Sequence, residues 1–239
     1  MCPATLEIAL PVLNEERCLE TQVSTLISRL SSSCPYEWSV AIVDNGSTDS
    51  TWEIASRIAQ RESRVRTLHL EQPGRGRALK AAWASSTTDI VAYMDIDLST
   101  DLDALAPLLD PIAAGSADIS IGSRLLPKSQ VTRSVRREII SRAYNRIART
   151  MLRYPVRDAQ CGFKAMNRHV VQTIVPVTKD ESWFFDTELL VLAWRRGLRI
   201  TEVPVRWVED EDSRVRVVNT AIDDLRGIWR LVRNSDSGS

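Results

Sequence analysis

Trp38-Ser39-Val40-Ala41-Ile42-Val43, followed at once by Asp44-Asn45-Gly46-Ser47-Thr48-Asp49, is the stretch that decides the fold. The first half is a short apolar run rich in β-branched residues, bounded by turn formers, and it reads as a buried strand. Asn45-Gly46 supplies a tight turn. Asp49, or Ser50 with Glu53 as a capping box, then opens a helical pattern over Ser50–Arg61. Strand, polar turn and helix within so few residues is half of a βαβ unit.

The same grammar continues on both sides. Upstream lies a strand over Leu6–Leu13 and a helix over Glu15–Leu30, joined at Pro11-Val12-Leu13-Asn14-Glu15, where Asn14 reads as the N-cap and Glu15 favours the positive helix end. Downstream come strands at Arg64–Leu70, Ile90–Met94 and Ile119–Gly122, alternating with helices at Arg75–Ala84 and Leu102–Ala114. Such alternation predicts an α/β fold, a Rossmann-like mostly parallel sheet flanked by helices. In these sheets ligands bind beyond the carboxyl ends of the strands. The second half differs: a long helix over Ser134–Arg153, an apolar stretch Gly162–Met166, a helix over Phe184–Arg196, a strand over Arg199–Trp207 and a closing amphipathic helix. Asn234–Ser239 reads as a disordered tail.

Composition narrows the classes. The chain has 239 residues, 44% of them hydrophobic, and zero formal net charge, so bulk attraction does not make it a nucleic-acid binder. Cys2, Cys18, Cys34 and Cys161 lie far apart and only His69 and His169 accompany them, which argues against a zinc site or a disulfide framework and fits a reducing cytoplasm. No window approaches the roughly 20 apolar residues of a membrane span, and Leu6–Leu13 is too short for a signal peptide.

Polar motifs follow three strand ends. Asp95-Ile96-Asp97 closes the fourth strand, and residues two apart on a strand face the same way. Two adjacent carboxylates repel unless a cation neutralises them, and Mg²⁺ or Mn²⁺ with oxygen ligands would bridge them to a nucleotide diphosphate. The opposing reading is an Asp pair in a solvated turn. Asp44 leaves a buried strand where it can accept hydrogen bonds from a base or ribose; turn and cap chemistry account for its neighbours. Gly74-Arg75-Gly76 opens a helix and allows backbone amides to approach a phosphate. It matches neither the dinucleotide fingerprint nor the P-loop, and a tight turn with exposed arginines is the bland alternative.

In this order these motifs resemble the family 2 glycosyltransferases of GT-A fold. Gly122-Ser123-Arg124, Arg157-Asp158-Ala159-Gln160-Cys161-Gly162-Phe163-Lys164, Phe185-Asp186-Thr187-Glu188 and Glu202-Val203-Pro204-Val205-Arg206-Trp207 look like the dolichyl- or polyprenyl-phosphate glucosyl- and mannosyltransferases. The resemblance implies one domain over residues 1–233, with a nucleotide-sugar half (5–123) and a helical acceptor-side half (124–233). It implies that Pro11, Leu13, Asn14, Glu15, Asp44, Gly74, Arg75, Gly76 and Ile96 line the donor site, and that Asp95 and Asp97 face the metal and diphosphate. Arg124, Arg137 and Arg214 would meet phosphates. Ser99 stands where related mannosyltransferases supply glutamine to the metal, Asn45 replaces a commoner Asp, and Leu13 replaces a frequent aromatic. The implied reaction is inverting transfer of glucose or mannose from a nucleotide-diphosphate sugar to a lipid phosphate. Asp186 would be the base if the acceptor were a hydroxyl.

Arg124 to Arg157 carries ten Lys/Arg against the single acid Glu138. In a helix Arg142, Arg146, Arg149 and Arg153 share one face, suited to an anionic membrane surface on the cytoplasmic side, alone or with a separate membrane partner. A core-packed helix with a solvated basic face is the competing account. Rival functions are a soluble hydroxyl-directed glycosyltransferase and a non-catalytic nucleotide-binding scaffold. A nucleotidyltransferase would need a Gly-rich, Lys-containing loop after the first strand, which this chain lacks.

Overall fold

The computed structural model describes residues 4–209 and 217–235, apart from a few side chains in two helices. A seven-stranded sheet runs through it in the order β3-β2-β1-β4-β7-β5-β8. Its strands are β1 (Thr5–Val12), β2 (Glu37–Asp44), β3 (Val65–His69), β4 (Ile90–Met94), β5 (Ile119–Ser123), β7 (Phe163–Asn167) and β8 (Ile200–Pro204). All pairings are parallel except those of β7, which runs antiparallel between β4 and β5. The remaining two strands, β6 (Gln130–Thr132) and β9 (Arg206–Val208), form a small parallel pair apart from the main sheet.

Side-chain alternation splits the core into two layers. Leu6, Ile8, Leu10 and Val12 of β1, with Val40 and Ile42 of β2, pack on one side against α1 (Leu19–Ser33), α2 (Thr51–Arg61) and α4 (Leu105–Ala113). Ala9, Val43, Val91 and Tyr93 face the other side, against α3 (Arg75–Ser85), α5 (Val135–Leu152), α6 (Arg168–Thr173), α7 (Phe185–Arg195) and α8 (Val217–Ser235). A sheet covered on both faces explains why β2 and β4 read as continuous apolar runs.

Several sequence expectations need correction. Helix α1 begins at Leu19, not Glu15, and Asn14 is not its cap. Asn14 takes a left-handed conformation (φ 56°) and its carboxamide accepts from the Thr48 amide at 2.8 Å. The Ser50–Glu53 capping box does not form; Asp49 instead accepts from the Thr51 amide at 3.0 Å. The single strand expected over Arg199–Trp207 is two strands, β8 and β9, that serve different sheets. Helix α8 continues to Ser235, two residues into the stretch read as tail.

Candidate active site

Strand β4 loses its last ladder contact at Met94, but its alternation persists. Ile96 is buried in the same core layer as Ala92 and Met94, while Asp95 continues the side of Tyr93. Ile96, expected at the donor site, is therefore a packing residue that anchors the turn from below. Asp95 is held by its own amide, which donates to the Gly162 carbonyl at 3.2 Å, and the Leu98 amide returns to the Asp95 carbonyl at 3.3 Å. Leu98 closes this turn at φ 50°. The Asp97 carboxylate accepts from the Ser99 amide at 2.9 Å.

Arg75 occupies the centre of the site. Its guanidinium lies 2.8 Å from an Asp95 oxygen and 3.6 Å from an Asp186 oxygen, with the side chain only 9% exposed. It sits 5.2 Å from the Tyr93 ring centroid and 5.0 Å from that of Trp183. Beneath it, the Tyr93 hydroxyl donates to Asp186, and the buried Lys164 ammonium lies 2.8 Å from the same carboxylate. Lys164 also donates to the Tyr93 hydroxyl at 2.9 Å and to the Cys161 carbonyl at 2.6 Å. Burial, and then the Asp186 charge, push the Tyr93 phenol well above its ordinary value, so it stays a donor. Protein packed around Asp95 raises its pKa; Arg75 opposes that, while Asp97 and Asp186 reinforce it.

Three carboxylates (Asp95, Asp97, Asp186) thus face two fixed cations (Arg75, Lys164). One negative charge is left over at the open edge of the sheet, where a further cation is favoured. The donor set suits a hard divalent ion: Asp97 takes a single hydrogen bond among the described residues, and the neighbouring Ser99 hydroxyl is buried without a partner. No cluster of three or more His, Cys, Asp or Glu at metal-ligand spacing occurs among the described residues. Any metal here would need oxygen atoms from the ligand to complete its shell.

Gly162 makes room for this cluster. A Cβ there would come within 1.9 Å of the Asp95 carboxylate and 2.7 Å of the Arg75 guanidinium. Its backbone is outside the left-handed region, so alanine is tolerated by the chain but not by the site. Gly162→Ala is expected to lower turnover roughly 10²-fold, the scale of a 1 Å misplacement, while the melting curve remains cooperative. Wild-type turnover in that variant would show that Asp95 need not occupy this position.

The other expected donor residues divide. Asp44 is fully buried at the end of β2, where it accepts from the Ser47 amide at 3.3 Å and meets His69 Nδ1 at 2.7 Å. Leu13 is exposed on the rim, and Pro11 is the partly buried penultimate residue of β1. The Glu15 amide donates to the Thr51 hydroxyl at 2.8 Å, which ties the first loop to the second. Gly74 and Gly76 do not open a phosphate cradle. A Cβ on Gly74 would strike the Glu181 carbonyl at 2.6 Å, and one on Gly76 would strike Phe185 at 2.7 Å. The glycines let segment 181–185 close on the start of α3, whose Arg77 amide is already spent on the Glu181 carbonyl at 3.1 Å. Arg124 is likewise engaged: its Nε and Nη2 each lie 2.8 Å from the fully buried Asp158, which needs that countercharge. Asp186 is buried in the first turn of α7 and is linked to Asp95 through Arg75. Arg137 is in α5 with its side chain outside the described residues, and Arg214 lies outside them altogether.

Sequence reasoning missed His69, Tyr93, Trp183 and Lys164 as site residues. Lys164 carried the best signal, a lone charge inside an apolar stretch, and it proves to be in a central strand.

Helix α5 is only partly a core helix. Ala148 and Leu152 are buried, but Ile139 is 62% exposed, Ile147 44% and Met151 45%, beside exposed Arg142, Arg146, Arg149 and Arg153. No described helix is long and apolar enough to cross a membrane. Cys161 is buried, and Cys34 is half-buried.

The site is thus an acidic pair at the carboxyl edge of a mostly parallel sheet, braced by buried cations. The Glycosyl transferase family 2 profile matches residues 7–175, and the chain belongs to that family. It is 37% identical over 232 residues to Glycosyltransferase AglD of Haloferax volcanii, covering 95% of this chain but 37% of that protein. It is 31% identical over 224 residues to the dolichyl-phosphate beta-glucosyltransferase of Drosophila melanogaster, covering 88% of this chain and 69% of the relative. Among solved structures, glucosyl-3-phosphoglycerate synthase of Mycobacterium tuberculosis in complex with Mn²⁺, UDP-glucose and phosphoglyceric acid superposes with a TM-score of 0.68. That match, at 22% identity, covers 96% of this chain and 78% of the other and shows the shared GT-A fold.

Proposed function

We propose that the chain transfers glucose, with inversion, from UDP-glucose to a polyprenyl-type lipid phosphate at the cytoplasmic face of a membrane. The dolichyl-phosphate beta-glucosyltransferase relatives support the acceptor class and the sugar. The Mn²⁺ and UDP-glucose complex of the structural neighbour supports the donor and a divalent metal. The observation that carries the lipid acceptor is α5, where an apolar stripe and a basic stripe are both exposed side by side. Each arginine near an anionic headgroup contributes about 1 kcal/mol, and the apolar stripe adds burial in the interface.

In this reading Asp97 and Asp95, with Ser99 alongside, would hold Mg²⁺ or Mn²⁺, and the ion would supply positive charge for the diphosphate leaving group. The chain's own residues do the positioning. Arg75 orients Asp95; Asp186 and Lys164, through Tyr93, hold Arg75 from beneath. On the same reading Leu13, exposed on the rim, meets the nucleoside, and Asp44, fully buried, supports that edge through His69. The acceptor phosphate is already anionic near neutral pH, so no strong base is required, and orientation with charge stabilisation drives displacement at the anomeric carbon. Asp186, paired and buried, is therefore a positioning residue.

The test combines flotation with turnover. The protein is expected to float with vesicles containing anionic lipid and not with neutral ones, and to glucosylate polyprenyl phosphate in the former. Replacing Ile139 and Ile147 with serine is expected to abolish flotation and to lower vesicle turnover at least tenfold. Transfer confined to a water-soluble hydroxyl acceptor would overturn the proposal.

A further inference from the structure

Trp183 is 40% exposed although the chain on both sides of it is fixed. Before it, Glu181 is clamped on α3: its carbonyl accepts from the Arg77 amide, and its carboxylate pairs with the Arg77 guanidinium. Gly74 and Gly76 remove the Cβ atoms that would keep this segment away. After it, Phe184 and Phe185 are buried at 1% and 0% exposure. A large aromatic surface is thus held in solvent by a rigid frame, against the favourable free energy of burying it.

What Trp183 touches gives the position meaning. Arg75 lies between the Trp183 and Tyr93 rings, and the same guanidinium pairs with Asp95. Arg75 is itself nine-tenths buried, with Nη2 spent on Asp95 at 2.8 Å, whereas the Asp95 side chain is 41% exposed. An exposed aromatic surface and a partly exposed carboxylate, Asp95, therefore meet at one point, joined by the Arg75 guanidinium that contacts both. A pyranose ring has the complementary chemistry, with an apolar C–H face and hydroxyls around its edge. In a nucleotide-diphosphate sugar that ring is joined directly to the phosphate that the Asp95/Asp97 end of the site would face.

We infer that Trp183 is the platform for the donor's hexose, its open face stacking against the C–H face of the sugar while Arg75 packs on the ring and the partly exposed Asp95 meets a hydroxyl. This deepens the proposed function and rests on it. Trp183 contacts the sugar and not the nucleotide, so its loss separates two ligands that differ only by glucose.

The experiment is calorimetric titration of wild type, Trp183→Ala and Trp183→Phe with UDP and with UDP-glucose, each with Mn²⁺. For Trp183→Ala the UDP Kd is expected to stay within about twofold, which also shows that the variant is folded, and the UDP-glucose Kd to rise roughly tenfold. Trp183→Phe, which keeps a ring, is expected to recover most of that loss. Equal weakening of both ligands, or unchanged UDP-glucose affinity in Trp183→Ala, would overturn the platform while leaving the donor reading intact. Failure of the wild type to bind either ligand would overturn both.

Discussion

Asp97→Ala is expected to lower the proposed metal-dependent glucosyl transfer by about a thousand-fold while moving the melting temperature by only a few degrees. The two halves of this result have separate causes. Structurally, Asp97 is half-buried and caps a single turn through the Ser99 amide, and loss of such a cap costs about 0.5–2 kcal/mol. The turn keeps its other fixings, Ile96 in the core and the Asp95 backbone on Gly162. Chemically, Asp97 is the acid of the cluster that no described cation engages, whereas Asp95 is paired with Arg75 and Asp186 with Arg75 and Lys164. Removing it cancels the surplus negative charge that favours a further cation. A metal ion's contribution of several kcal/mol to leaving-group stabilisation converts, at about 1.4 kcal/mol per decade, into the stated loss. Turnover measured across a Mn²⁺ titration decides the matter: metal-dependent transfer retained by Asp97→Ala at near wild-type rates would remove Asp97 from the site.

The parts of this site that were legible in the sequence are the local ones. The strand Ile90–Met94 and the acidic pair that follows it are legible because they need only neighbouring residues, whereas Ile96, expected at the donor site, lies in the core. The turn after β2 and the start of α2 followed for the same reason. What was hidden depends on strand order. Phe163–Asn167 enters the sheet antiparallel between β4 and β5, and only that insertion pairs Tyr93 with Lys164 and brings Gly162 against Asp95. Nothing within a few residues of Lys164 announces that its partner is Asp186. The glycines of Gly74-Arg75-Gly76 misled in a different way: Gly serves close approach of any backbone, and here what approaches is segment 181–185, not a phosphate. Arg124 reads from the family pattern as a phosphate ligand, and it is taken by Asp158, whose complete burial no local pattern shows.

The second large effect belongs to Asp186. Asp186→Ala is expected to lower the melting temperature by roughly 10 °C, because it strands Lys164, a buried ammonium, and leaves Tyr93 without its acceptor. Breaking a buried pair from one side costs about 3–5 kcal/mol, and in a chain of this size each kcal/mol shifts the midpoint by about 2–4 °C. Asp186→Asn retains an acceptor oxygen for Tyr93 but not the charge, so it is expected to fall between alanine and wild type. Lys164→Met separates stranding from a general loss of packing. Combined with Asp186→Ala it removes both charges, and the double variant is expected to be more stable than Asp186→Ala alone. Catalysis gives an independent readout. A positioning residue that acts through Arg75 leaves the shape of the pH–rate profile unchanged when measured well below the melting point. A general base would take the acidic limb of that profile with it. An unshifted melting temperature together with loss of the acidic limb in Asp186→Asn would make Asp186 the base, and a hydroxyl would then replace phosphate as the acceptor.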